Sequence, residues 1–306
     1  MELIELERIR DVVDHDVAFE AVRDGLVRLS TGTVVAPQEI LMNVAPSGVV
    51  HMKAAHVVGS RWAVCKIAGA GFAEEPRSGC SLLLDVGNGR AVAVLADDGW
   101  LTHMRTAAAG ALATDLLANP GDVTVAVLGT GRLAGFQIDA LRARRRIADL
   151  RVWGRRLERA ESVATAQGGR ACATVAEAVG GADVVITCTS AYSPFLSIAQ
   201  LSPGTHVTAL GSDNVGKREL DIGFGDAVDV LVADDVANCS QSGELRFLPR
   251  AIRERSIRFA DLVAGRVGGR TSRHQLTVAD LCGIGTYDAA IAGPVATALL
   301  GEPEGA

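Results

Sequence analysis

Residues 123–143, VTVAVLGTGRLAGFQIDALRA, pass from β-branched and aliphatic residues through glycines to apolar residues at helical spacing. That order predicts a strand, a tight turn and a helix, the opening of a βαβ unit. The alternation continues beyond it. VTVAVLG, LRVWG, RACATV, DVVITCTS, THVTALGS and DVLVADD read as strands, with LAGFQIDALRARRR and RRLERAESVATAQ as helices between the first three. Continuous apolar runs such as VAVL and VVIT suit a parallel sheet covered on both faces. The expected fold class is α/β, with a Rossmann dinucleotide-binding domain.

The first third reads differently. A helix is expected over residues 16–30, followed by short strands in TGTVVAP, EILMNVA, GVVHMKA, RWAVCKIAG, GCSLLLDVGNG and RAVAVLADD, with a hairpin turn at Gly87, Asn88 and Gly89. The alanine-rich segment WLTHMRTAAAGALATDLLANPG reads as a helix stopped by Asn119, Pro120 and Gly121. A chain of 306 residues suggests about two domains. The stop places them at 1–118 and 119–285, the first completed by a C-terminal helix at about 286–306. That closing stretch, TVADLCGIGTYDAAIAGPVATALL, reads as a strand or turn and then an apolar helix packing back onto the first domain.

Composition removes several function classes. A net charge of -6 argues against nucleic acid as a partner, and the basic run Arg142 to Arg146 reads as a solvated helix end. Cys65, Cys80, Cys172, Cys188, Cys239 and Cys282 are far apart in sequence, with no CxxC pair and no histidine at ligand spacing, so no metal is expected and a reducing interior is. The acidic start MELIELERIRDVVDHD does not resemble a signal peptide, and no apolar run approaches a membrane span, so the expected setting is cytoplasmic with no membrane partner. Disorder is expected only in the tail GEPEGA.

In GTGRLA, comprising Gly129, Thr130, Gly131, Arg132, Leu133 and Ala134, the spacing is GxGxxA after a strand and before a helix. The first glycine allows the turn, the second lets backbone N–H groups approach a pyrophosphate, and the alanine permits close packing. The competing reading is a turn that binds nothing. After the second strand, VWGRR offers Arg155 and Arg156 where an NAD site would present a carboxylate. A guanidinium suits a 2′-phosphate, so NADP(H) is preferred, with NAD(H) as the other candidate and solvated helix-start arginines as the bland alternative.

Three further residues carry candidate chemistry. Asp213, in LGSDNVGKREL, follows the fifth strand, where a carboxylate can exchange a proton with a substrate nitrogen; an Asx turn or helix cap is the alternative. Lys66 lies inside the apolar strand AVCKIAG, costly unless it meets an anion; a snorkelling edge lysine is the alternative. Arg105, in LTHMRTAAAG, could clamp a carboxylate; a surface salt bridge is the alternative.

WLTHMRTAA, the lysine strand about forty residues before it, GTGRLA, ALGSDNVGKREL and TVADLCGIGTYDAA together resemble the ornithine cyclodeaminase and mu-crystallin family across nearly the whole chain. The resemblance implies a homodimer with a second, α+β domain for substrate and dimerisation, and hydride transfer at the nitrogen-bearing carbon of a small amino or imino acid. It implies Lys66 and Arg105 on the substrate carboxylate, and Asp213, with Lys66, among the catalytic residues. The nucleotide would meet the glycine turn, Arg155, Arg156, Thr189 and Asp213. The chain departs from the family where an early-strand arginine usually sits: here APQEI offers Gln38 and Glu39, so either Lys53 or His51 is the substitute anchor or the substrate differs, which argues against ornithine itself. The leading expectation is an NADP(H)-dependent ketimine or cyclic imine reductase. The alternatives are an ornithine cyclodeaminase with recycled NAD, and an NADPH-binding protein without turnover.

Overall fold

The computed structural model describes residues 1–44, 48–72 and 79–301. The chain divides into two compact units, Met1–Ala108 with Ile284–Ala306, and Ala109–Gly283.

The first unit is a seven-stranded sheet with helices. Its strands are β1 (Glu2–Glu5), β2 (Val34–Val35), β3 (Ile40–Val44), β4 (Gly48–Val57), β5 (Trp62–Ala70), β6 (Gly79–Asp85) and β7 (Arg90–Ala96). Their order is β1-β7-β6-β5-β4-β2, with β3 also on β4, and only the β1–β7 pair is parallel. The expected hairpin joins β6 to β7 through residues 86–89. Asp14 caps the helix His15–Ser30 by accepting from Val17 N–H at 2.8 Å. The helix Gly285–Leu300 packs on it and on β4 and β5. Gly25 makes that contact close, since a Cβ there would stand 2.8 Å from Ala290 Cβ. Of the tail GEPEGA, residues 302–306 lie outside the described residues.

The second unit is a sheet of eight parallel strands: β8 (Val123–Leu128), β9 (Ile147–Trp153), β10 (Arg170–Ala171), β11 (Val184–Thr187), β12 (His206–Ala209), β13 (Val230–Ala233), β14 (Ile257–Arg258) and β15 (Thr277–Asp280). Their order is β10-β9-β8-β11-β12-β15-β13-β14. The chain leaves β8 in one direction and resumes at β11 in the other, which makes the carboxyl ends of those two strands the switch point where ligands bind in such sheets. Fully buried runs such as Val125, Ala126, Val127 and Leu128 fill the middle. RACATV is a strand only at Arg170–Ala171, because Thr174 accepts from Glu177 N–H and starts the helix Val175–Val179.

The division falls after Ala108, inside the helix Trp100–Leu117, and not at Asn119 to Gly121. The second half of that helix packs with the parallel-sheet unit: Leu117 C=O accepts from Arg270 Nε at 2.6 Å and from Thr277 Oγ1 at 3.1 Å. A Cβ on Gly110 would stand 3.1 Å from Gln137 Cδ. A turn signal marks where a helix stops, not where its packing partner changes. Gly25→Val will force the two packed helices of the first unit apart and lower stability by about 1–3 kcal/mol, measurable by urea denaturation.

Candidate active site

In the first unit Lys53 on β4 stands opposite Lys66 on β5, and Ile40 of β3 stands opposite Met52. Glu39, one residue before Ile40, therefore joins Lys53 and Lys66 in a single row across three strands. Lys66 Nζ donates to Asp288 Oδ1 at 2.9 Å and to Thr102 Oγ1 at 3.4 Å. Arg105 Nε donates to the same Asp288 oxygen at 2.9 Å, its guanidinium 5.9 Å from the Tyr287 ring centre. Lys66 lies in an inner strand and both cations are buried, so neither the snorkelling nor the surface alternative applies. Asp288 Oδ2 is buried without a partner among the described residues. Glu39 holds the other end of the row, accepting from His51 Nδ1 at 2.7 Å and pairing with Lys53 Nζ at 3.3 Å.

Burial sets the electrostatics of this cluster. It drives the Lys66 amine down, with Arg105 and Lys53 adding to the fall and Asp288 opposing it, to about 7. Burial pushes the Asp288 carboxyl up, but Arg105, Lys66 and Lys53 outweigh it and hold it below the usual carboxylate range. Asp97 is lifted by burial to about 6. Its carboxylate accepts from Leu101 N–H at 2.7 Å, anchoring the start of the helix that carries Arg105. Two cations thus share one carboxylate oxygen, an arrangement that attracts a further anion.

In the second unit Gly129 ends β8 at φ +145°, and its N–H donates to Trp153 C=O at 2.9 Å. A Cβ there would lie 2.7 Å from the Cys188 carbonyl oxygen, so no other residue fits. Gly131 caps the helix Arg132–Arg142, and nothing lies within 4 Å of where its Cβ would be. The backbone at the start of that helix is thus open on the Gly131 side, a place suited to a pyrophosphate. Ala134 is fully buried, and Gly154 lets Thr130 approach, since a Cβ on it would lie 2.6 Å from Thr130 Cγ2. Arg132, Arg155 and Arg156 are exposed and make no ion pair among the described residues. The glycine turn and these cations fit a dinucleotide.

Asp213 follows β12 in a non-helical loop and pairs with Lys217 Nζ at 2.6 Å, so it is not a helix cap. Burial lowers the Lys217 amine, but Asp213 more than offsets this and leaves it raised. Buried Glu219 braces the loop, accepting from Thr187 Oγ1 at 2.6 Å and from Gly211 N–H at 2.9 Å. The Thr189 N–H and hydroxyl both donate to Glu219 at 2.7 Å, so this side chain is committed to the brace.

The structure therefore joins Lys66, Arg105 and Lys53 in one unit, and sets the glycine turn, Arg155, Arg156, Thr189 and Asp213 in the other. Sequence reasoning missed Asp288, which looks like one more acidic residue of a helix first turn. A usable signal was present: only three of the thirty basic side chains are lysines, Lys53, Lys66 and Lys217, and each sits on a carboxylate. Cysteine spacing also missed a grouping, since the ligand atoms of Cys239, Asp280 and Cys282 lie within 4.8 Å of one another. Folding brings together cysteines 43 positions apart in number, from a helix and a strand end. The bond with Cys239 lowers the Cys282 thiol, but burial together with the charges of Asp280, Asp234 and Asp213 outweighs it and raises the thiol to about 12, which disfavours a thiolate.

A parallel sheet with a glycine turn at its switch point, in a chain whose other unit holds a buried cation pair, is the make-up of a nucleotide-dependent enzyme class. The chain belongs to the ornithine cyclodeaminase/mu-crystallin family, whose sequence profile matches residues 4–302. Members of that family are NAD(P)-dependent reductases or cyclodeaminases acting on amino and imino acids. The chain is 35% identical over 310 residues to a putative dehydrogenase of Rhizobium meliloti, covering 95% of this chain and 94% of that one. It is 42% identical over 142 residues to the ketimine reductase mu-crystallin of Mus musculus, 46% of this chain and 45% of that one. The fold matches the Thermococcus litoralis Delta(1)-pyrroline-2-carboxylate reductase, solved with NADH and L-proline, at a TM-score of 0.89, 21% identity and 100% of both chains. No helix among the described residues is long and apolar enough to cross a membrane.

With three lysines in the chain, NMR of lysine side chains will resolve Lys66 directly. Its amine is expected to titrate near 7, and a small carboxylate bound beside it will favour the charged form and move that titration upward. A Lys66 signal that titrates with an ordinary lysine value counts against the cluster.

Proposed function

We propose that this protein is an NADP(H)-dependent reductase of small α-imino acids, cyclic ketimines foremost. The observation that carries the reading is the convergence of Lys66 and Arg105 on the single oxygen Asp288 Oδ1, each at 2.9 Å and both buried. Such a pair suits a substrate carboxylate, with Lys53 as a third cation in the same row. The amides after Gly131 would hold the pyrophosphate, and Arg155 and Arg156 the 2′-phosphate. The nicotinamide, when bound, supplies the hydride for the C=N carbon.

Asp213 is the acid/base group for the substrate nitrogen. Its pairing with Lys217 at 2.6 Å favours the carboxylate form, which steadies the positive charge of a protonated imine. Lys66 and Arg105 orient the carboxylate, and with it the planar carbon that is attacked. The exposed side chains of Ile40 and Ile67, on the face of the sheet opposite to Lys66, support association into a homodimer. Six free cysteines support a reducing, cytoplasmic setting.

Oxidation of NADPH by a cyclic imino acid such as a pyrroline carboxylate is the expected result. Release of ammonia from ornithine with no net change in cofactor would overturn the reading in favour of cyclodeamination, and tight NADPH binding without turnover on any imine would reduce the protein to a binder. Asp213→Asn is expected to abolish turnover and leave NADPH affinity nearly intact, measured by steady-state kinetics and nucleotide titration. Arg155→Asp removes a cation and adds a repulsive carboxylate, so the NADPH-to-NADH preference should fall by about tenfold or more; an unchanged ratio refutes the assignment of Arg155.

A further inference from the structure

The row Glu39, Lys53 and Lys66 raises a physical problem. Lys53 and Lys66 are directly opposite across β4 and β5, and like charges so placed repel. A lysine has four flexible bonds with which to escape its neighbour, and it gives up rotamer freedom to be held in place. Lys53 nevertheless stays buried beside Lys66. Glu39 holds it from one side, 3.3 Å from Lys53 Nζ with its own side chain only 9% exposed. Glu39 is in turn held from its other oxygen by His51 Nδ1 at 2.7 Å. His51 and Lys53 are two residues apart on β4 and project from the same face, so a short fork grips one carboxylate at both oxygens. A carboxylate tied in this way cannot follow the ammonium, and the ammonium must come to it.

We propose that Glu39, fixed by His51, is a positioning residue that keeps Lys53 in the carboxylate-binding row and so sets how firmly the substrate carboxylate is gripped. The inference rests on the reading of Lys66 and Arg105 as that binding site. Lys53 contributes to the charge balance of both Lys66 and Asp288, which puts it within electrostatic reach of the clamp. A rival arrangement has the opposite sign. If Glu39 were only a resident anion occupying a cation that the substrate needs, removing its charge would strengthen binding.

The test is calorimetric titration of the NADPH-loaded protein with pyrrole-2-carboxylate, a planar carboxylate that cannot be turned over by hydride addition to an imine. Glu39→Gln keeps the shape and is expected to weaken binding about tenfold, the loss of one charge-assisted contact. Lys53→Met should weaken it to a similar degree. The double variant should bind no worse than Lys53→Met alone, because Glu39 acts only through Lys53. Glu39→Asp, which keeps the charge, should recover part of the affinity. In turnover, the loss should appear in KM for the imino acid, with melting temperature little moved. Tighter or unchanged binding by Glu39→Gln, or losses that multiply in the double variant, would overturn the inference. A wild-type protein that does not bind the probe would overturn it too. A protein that binds the probe with this pattern yet reduces no imine would sink the proposed reaction and leave the role of Glu39 standing.

Discussion

One carboxylate oxygen, Asp288 Oδ1, organises the first unit. It receives Lys66 from the middle of a sheet and Arg105 from a helix, both out of water. Buried charges are tolerable only when paired, and removing one partner of such a set typically costs about 3–5 kcal/mol. The sheet, the helix beginning at Trp100 and the helix beginning at Gly285 are therefore tied at a single atom. A charged cluster of this kind is an expensive way to stabilise a core. It makes sense as a device that keeps two cations fixed, dehydrated and one charge short of neutral, ready for an anion.

The parallel-sheet unit solves a different problem, the tight passage of backbone from a strand into a helix. Gly129 is confined by the Cys188 carbonyl, and Gly131 opens onto empty space. The loop after β12 is held from behind by Glu219, which takes up hydroxyl and amide donors from Thr187, Thr189 and Gly211. That leaves Asp213 at the front of a braced loop with Lys217 as its counter-ion. Thr189 serves this brace, its N–H and hydroxyl both donating to Glu219.

Local pattern carried most of the fold. Runs of one period long enough to be read, such as β8 and the helix after it, stand where the spacing put them. Elements of two residues, such as β14, have no period at all, and β15 enters the sheet between β12 and β13, an order that no local signal encodes. The site was legible where chemistry was incongruous with its surroundings: a lysine in an apolar strand, glycines at a strand end. Asp288 was not, because an acid in a helix first turn is what the helix dipole favours anyway, and its function depends on cations 222 and 183 residues away. Glu39 was visible only as a mismatch, and its meaning required the register that sets it beside Lys53.

The first unit is assembled from both ends of the chain, with the whole parallel sheet inserted between them. On the ribosome, the inserted sheet is complete before residue 284 is made, whereas the surrounding unit waits for the last helix. Until that helix arrives, Lys66 and Arg105 have no acid to share and remain hydrated. The buried cation cluster is therefore among the last features to form, and a chain truncated shortly before Asp288 would release an intact parallel-sheet unit joined to an unfinished, charge-frustrated one.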